Sequence, residues 1–194
     1  MPGVGLIEQA EVLHRHRLSV DEYHRMAEAG VLAPDARVEL IDGEVVDMAT
    51  IGTRHASAVK RLIQLLSAAA GGQAIVAAQD PLRLGDRSEV QPDLMLLRPR
   101  EDFYASAHPQ AADVLLLIEV SDSTARVDRE VKVPLYARHG VVEVWIVDLD
   151  ERAMRFYRRP AGGAYADTSA TPTPGAVEPL ALPGVRIDLA RLIG

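Results

Sequence analysis

The chain has no cysteine. That excludes disulfides, zinc–thiolate sites and thiol nucleophiles, and it is compatible with the reducing cytoplasm, the expected location. Aromatic residues make up only 4%, too few for an aromatic stacking platform that grips single-stranded nucleic acid. No apolar run approaches the ~18–20 residues that span a bilayer. The longest, residues 114–118, is bounded by Asp113 and Glu119, so no membrane partner is expected. No positively charged start precedes an apolar stretch, so no export leader is expected. Positive charge is scarce as well. The formal net charge is −7, which excludes a protein that holds nucleic acid by bulk positive charge but not an enzyme that needs only a local basic surface. Lysine is nearly absent: of 21 basic residues only Lys60 and Lys132 are lysine. Chance suffices for Lys60, whereas a lysine kept among nineteen arginines makes Lys132 the better functional candidate.

What is present is an ordinary globular balance, with 48% hydrophobic and 25% charged residues in 194, enough for a sizeable core. Residues 1–18 read as a flexible N-terminal arm and residues 19–194 as a single domain. Ser19-Val20-Asp21-Glu22 has the capping-box pattern and predicts a helix over 20–29, ended by Gly30 and Pro34. Residues 37–41 and 44–48 read as strands joined at Asp42-Gly43, a strong hairpin signal. A helix over 55–70 places Val59, Leu62, Ile63, Leu66 and Ala70 on one face and stops at Gly71-Gly72. Strands follow at 74–78, 81–84 and 90–97, then an exposed loop over 98–112. Residues 113–120 form a nearly continuous apolar strand, which implies burial on both faces. Ser121, Asp122, Ser123 and Thr124 offer N-caps to a helix that runs to Arg138, with Pro134 kinking it or detaching its first half. Strands at 142–149 and 154–157, an irregular excursion over 160–184, a short strand at 185–187 and a helical turn over 188–193 complete the reading. The order predicts an α/β (α+β) fold, one mixed sheet with helices packed on it.

Four stretches contain groups that suit chemistry. In Gln91-Pro92-Asp93-Leu94, alternation puts Asp93 opposite its neighbours, and Pro92 favours an edge or a bulge that re-aims the carboxylate. Read alone, Asp93 is better explained as a surface carboxylate on an edge strand. Glu119 ends a doubly buried strand, where a carboxylate is costly unless paired, ligated or solvated, and sites gather beyond the carboxyl ends of such strands. Glu119 therefore favours a functional role over the plainer account, an N-cap acceptor or an ion pair with arginine. Asp128 and Lys132 are four residues apart and share a helix face, as an ordinary surface pair also would. Glu39 lies in Glu39-Leu40-Ile41-Asp42-Gly43-Glu44 beside apolar neighbours, whereas Asp42 needs only a turn to explain it. Arg126 and Arg129 fit phosphate contacts or a solvated helix face. Tyr136, Trp145 and Tyr157 read as core or interface aromatics, and a lone His55 as a satisfied helix-start residue. No zinc or iron pattern, phosphate-binding glycine loop or nucleophile elbow is present.

Together these stretches resemble the Uma-type restriction endonuclease family of bacteria, a branch of the PD-(D/E)XK nuclease superfamily. The likeness spans roughly residues 18–193. It rests on residues 39–45, the helix start at His55, Pro92-Asp93-Leu94, residues 117–124, Asp128 with Lys132 and Tyr136, and residues 140–148. The resemblance implies a restriction-endonuclease-like mixed sheet flanked by helices, with Asp93 and Glu119 as the acidic pair and Glu39 as an auxiliary acid. His55 would neighbour the site without being a ligand. The wider superfamily has a lysine two residues after its second acid; that position here is Ser121, which cannot supply the charge. The Uma-type arrangement, with its lysine on the following helix, points to Lys132.

Hard oxygen ligands such as Asp93 and Glu119 suit Mg²⁺ (or Mn²⁺), with the Val120 carbonyl as a third ligand. Lys132 would then help deprotonate a water or stabilise developing charge. The expected function is metal-dependent endonucleolytic hydrolysis of DNA. The alternatives are a catalytically inactive relative that binds DNA or protein partners, and a metal hydrolase of small phosphoesters. Duplex cleavage takes two cuts and an exposed hairpin can pair with another, so a homodimer is among the expectations.

Overall fold

The computed structural model describes residues 15–122, 124–190 and 192. Most of the expected N-terminal arm, and Ser123 among the expected caps, lie outside the described residues. Among those described, no helix is long and apolar enough to cross a membrane.

Helix α1 (Val20–Glu28) forms where the capping box predicts it. Ser19 Oγ accepts from Glu22 N, and Glu22 returns the bond to the Ser19 backbone, which satisfies two donors the helix itself leaves free. Strands β1 (Val38–Ile41) and β2 (Glu44–Asp47) make the hairpin, turned by Asp42 and Gly43 at φ 47° and 82°, as a tight primed turn requires. Helix α2 (Thr53–Ala70) buries Ala58, Val59, Leu62, Leu66 and Ala70 along one face and ends at Gly71 in the left-handed conformation. Strand β3 (Ile75–Ala78) and the short β4 (Leu82–Arg83) follow.

The expected strand over 90–97 is in fact two. Strand β5 (Glu89–Val90) pairs with β1 and β4, β6 (Leu94–Leu97) pairs with β3 and β7, and Gln91-Pro92-Asp93 crosses between. Pro92 has no N–H to extend a ladder, so the chain changes sheet there. The single expected sheet is accordingly divided. A four-stranded antiparallel sheet runs β2-β1-β5-β4. A six-stranded mixed sheet runs β10 (Ala164–Thr171), β9 (Ala153–Ala161), β8 (Glu143–Asp148), β7 (Val114–Ser121), β6, β3.

Strand β7 (Val114–Ser121) lies inside the six-stranded sheet and every residue of it is buried. It runs parallel to β8 (Glu143–Asp148), a pairing that requires a crossover. The crossover is helical: α3 (Ala125–Val127), a π turn (Asp128–Lys132) and α4 (Val133–Arg138). The wide turn lies immediately before Pro134, where the imino nitrogen can donate no bond. One face of the sheet packs Leu116, Ile118, Val120 and Trp145 against α2 and Leu189. The other packs Leu117, Val144 and Ile146 against Leu135 and Tyr136 of α4.

The first half of the excursion expected over 160–184 is the end of a hairpin. Strand β9 (Ala153–Ala161) turns at Gly162 and Gly163, both at positive φ, into β10 (Ala164–Thr171). Pro160 lies past Arg158, the last β9 residue to pair with β8, so its missing donor costs no bond on that side. A ribbon of β11 (Ala176–Val177) and β12 (Ile187–Asp188) follows. Of the final helical turn, the described residues show a bond from Leu192 N to Leu189 O.

Candidate functional site

Strand β6 ends where β7 continues, and this offset makes the site. Leu94 pairs with Ile118, so Asp93 comes to lie beside Glu119 and Val120, which have no β6 backbone opposite them. The gap is bridged by side chains. Asp93 Oδ2 accepts from Val120 N at 2.9 Å, and Asp93 N donates to Glu119 Oε2 at 3.3 Å. Strand alternation puts Glu119 on the face of Leu117 and Ser121, the face packed by the helical crossover. There Tyr136 donates its hydroxyl to Glu119 Oε1 at 2.5 Å. Lys132 Nζ lies 3.0 Å from Glu39 Oε1 and 3.5 Å from Glu119 Oε1. Glu39 comes from β1 and also accepts from Gln91 N at 2.7 Å, so it ties the smaller sheet to the cation. Asp128 Oδ2 accepts from Ser121 Oγ and Thr124 Oγ1 at 2.7 and 2.8 Å.

A second wall comes from α2. His55 Nε2 lies 3.0 Å from Asp93. Arg54, one residue earlier, bonds Leu149 O and pairs with Asp122 and Asp150, which fixes the helix start against the ends of β7 and β8. Gln79, just past β3, is held at φ 57°; its N donates to Asp93 O at 3.1 Å, and its side chain reaches Asp93 Oδ1 at 3.4 Å. Glu39, His55, Gln79, Asp93, Glu119, Asp128 and Lys132 line one cleft of about 520 Å³.

Burial dominates the electrostatics. It pushes the Glu119 carboxyl up to about 8, against the pull of Lys132 and with help from Asp128 and Asp93. Burial also raises Asp128, despite its hydrogen bond from Ser121 and the nearby Lys132. Burial disfavours the Lys132 ammonium, but Glu119, Glu39 and Asp128 outweigh it and hold the ammonium above its ordinary range. The hydrogen bond to Asp93 raises His55 against the effect of burial. Tyr136 is raised well above a free phenol by burial and by Glu119.

The structure therefore gathers Asp93, Glu119, Val120, Lys132, Glu39, His55 and Asp128 around one cleft, and Ser121 joins them through Asp128. It does not bring in the two arginines of the crossover. Arg126 pairs with Glu130 on an exposed face, and Arg129 with Asp148 and Glu151. Trp145 is buried and donates to Glu143. Two contributors escaped the sequence reading. Tyr136 was counted in the family resemblance but read only as a core or interface aromatic, although it lies four residues after Lys132 and so on the same helix face. Gln79 had no signal beyond its place at a strand end.

Among the described residues no three His, Cys, Asp or Glu side chains form a ready metal cage. Two carboxylates and the Val120 peptide are nonetheless a donor set that fits Mg²⁺, which keeps several waters and takes few protein ligands.

The family model of Uma2, whose description reads "Putative restriction endonuclease", matches residues 20–190. Among solved structures, a protein of Anabaena variabilis described as "a putative nuclease belonging to DUF820" superposes with a TM-score of 0.67. It is 17% identical, and the match covers 91% of this chain and 97% of that one, a likeness of fold. No curated protein matches the chain.

Proposed function

The chain belongs to the Uma2 family of restriction-endonuclease-like proteins, and on that premise we propose that it hydrolyses DNA phosphodiester bonds with the help of Mg²⁺ or Mn²⁺. The observation that supports this most is the meeting of Asp93 and Glu119 at the offset ends of β6 and β7, with the Lys132 ammonium 3.5 Å from Glu119. Asp93, Glu119 and the Val120 carbonyl would hold the ion. Bound there, it would supply a more acidic water and offset charge on the phosphate.

The chain's own residues do the rest. Lys132 is held charged by Glu119 once that group is ionised, together with Glu39 and Asp128, so it suits a donor to the developing phosphate charge better than a base. Glu39 fixes that ammonium from β1. His55, its charged form favoured by Asp93, and Gln79 hold the Asp93 carboxylate in place. Tyr136 does the same for one oxygen of Glu119 and leaves the other facing Asp93. Ser121 occupies the position where the PD-(D/E)XK pattern has its lysine; its hydroxyl is engaged with Asp128, and Lys132 supplies the cation from the following helix instead.

Cleavage of a labelled DNA pool in Mg²⁺, compared with Asp93→Ala and Glu119→Ala, tests the assignment. Each substitution should lower the rate at least about a hundredfold, the scale of losing a charge-stabilising group at a reacting centre. Variants as active as the parent would remove both residues from the site.

A further inference from the structure

The walls of the same cleft indicate which form of nucleic acid it takes, an inference that rests on the proposed nuclease reading. Six carboxylates line it: Glu39, Asp47, Asp93, Glu119, Asp122 and Asp128. Against them, among the described residues, stand only two Lys or Arg residues, Arg37 and Lys132, with His55. Lys132 is buried and already paired with Glu39 and Glu119. A bound divalent cation would cancel the charges of its two ligands, Asp93 and Glu119, and give one phosphate a direct contact, but the rest of the lining would stay acidic. The lining supplies no row of cations for neighbouring phosphates. A protein that grips a duplex neutralises several phosphates at once, commonly about six to ten.

What the mouth offers instead is apolar surface. Seven large hydrophobic side chains are exposed among the described residues, and Val46, Ile51 and Val127 among them line this cleft. Met48 adds to the lining. They come from separate segments: Val46 from β2, Met48 and Ile51 from the loop before α2, and Val127 from α3. Aliphatic side chains in water beside an acidic floor suit the flat face of an unpaired base. In a duplex that face is stacked and out of reach, while the paired phosphates would approach Asp47 and Asp122.

We infer that the cleft accepts a single-stranded segment of DNA, one phosphodiester on the acidic floor and its unpaired base against the Val46–Ile51–Val127 rim. Three Mn²⁺-supported cleavage reactions test this: a labelled single strand, the same strand annealed to its complement, and a strand of equal length with abasic sites at its centre. The single strand should be cut at least about tenfold faster than either of the others, the factor that corresponds to 1.4 kcal/mol of base contact. The exposed-surface variant Ile51→Ser with Val127→Ser should bring the rate on the base-bearing strand toward that on the abasic one. A duplex cut as fast as the single strand, or an abasic strand cut equally well, overturns the inference and leaves the nuclease reading standing. No cleavage of any of the three overturns both.

Discussion

At the scale of single residues, Glu119 is where burial and metal chemistry oppose each other. Burial raises its carboxyl to about 8 even with Lys132 nearby, while a divalent cation needs the carboxylate. The folded chain without metal therefore holds a proton that the unfolded chain gives up above its ordinary value of 4.5. Its contribution to stability is full below that value and is lost as the pH rises through about 8. Metal binding at pH 7 should then expel roughly one proton, and affinity should climb with pH until about 8 and level off. Titration calorimetry with Mn²⁺ in buffers of different ionisation enthalpy reads the proton count directly. Release near zero at pH 7 would mean that Glu119 is already ionised or is not a ligand.

At the scale of elements, the β1–β2 hairpin must present Glu39 to Lys132, and its tip is pinned from outside. A Cβ on Gly43, at φ 82°, would lie 2.8 Å from Arg17 Cβ and 3.0 Å from Leu18 N and O. Leu18 N donates to Gly43 O, and Gly43 N to Arg87 O, so that backbone cannot yield without losing bonds. Gly140 has nearly the same φ, 80°, with nothing within 4 Å of its added Cβ. Gly140→Ala should cost about 1 kcal/mol, the penalty of the left-handed conformation alone. Gly43→Ala should cost about 1–3 kcal/mol more, as overpacking does, with loss of activity because Glu39 moves. Urea denaturation compares the two; equal costs would show that Arg17 and Leu18 do not pack on the hairpin. The hairpin itself was legible because Asp-Gly dictates its turn locally. The break at Gln91-Pro92-Asp93 was only half legible: Pro92 announced an irregularity, but nothing local says that the chain there leaves one sheet for another. The β9–β10 hairpin was masked by a run of small and polar residues on an exposed edge, where no buried face imposes a hydrophobic period.

At the scale of the whole molecule, the candidate site is a joint between two sheets. Glu119 stood out because a carboxylate ending a doubly buried strand demands an explanation from sequence alone, and Lys132 stood out against an arginine-rich background, whereas Asp93 became a candidate partner only through the family resemblance. Gln79 and the Tyr136–Glu119 bond were not readable, since they depend on which sheet edge faces which helix. The same joint makes a prediction about cooperativity. Glu39 belongs to the four-stranded sheet and Glu119 to the six-stranded one, and both meet Lys132. A metal on Asp93 and Glu119 should therefore stabilise both sheets. At a hundred times its dissociation constant Mn²⁺ adds about 2.7 kcal/mol, which raises the melting temperature of a chain this size by roughly 5–10 °C. Thermal unfolding of the parent and of Asp93→Ala reads this, with no rise expected in the variant. Hydrogen exchange locates it: slower exchange should reach β1 as well as the end of β7. Protection confined to β6 and β7 would show that the Glu39–Lys132 contact does not couple the sheets, and that the smaller sheet only covers the site.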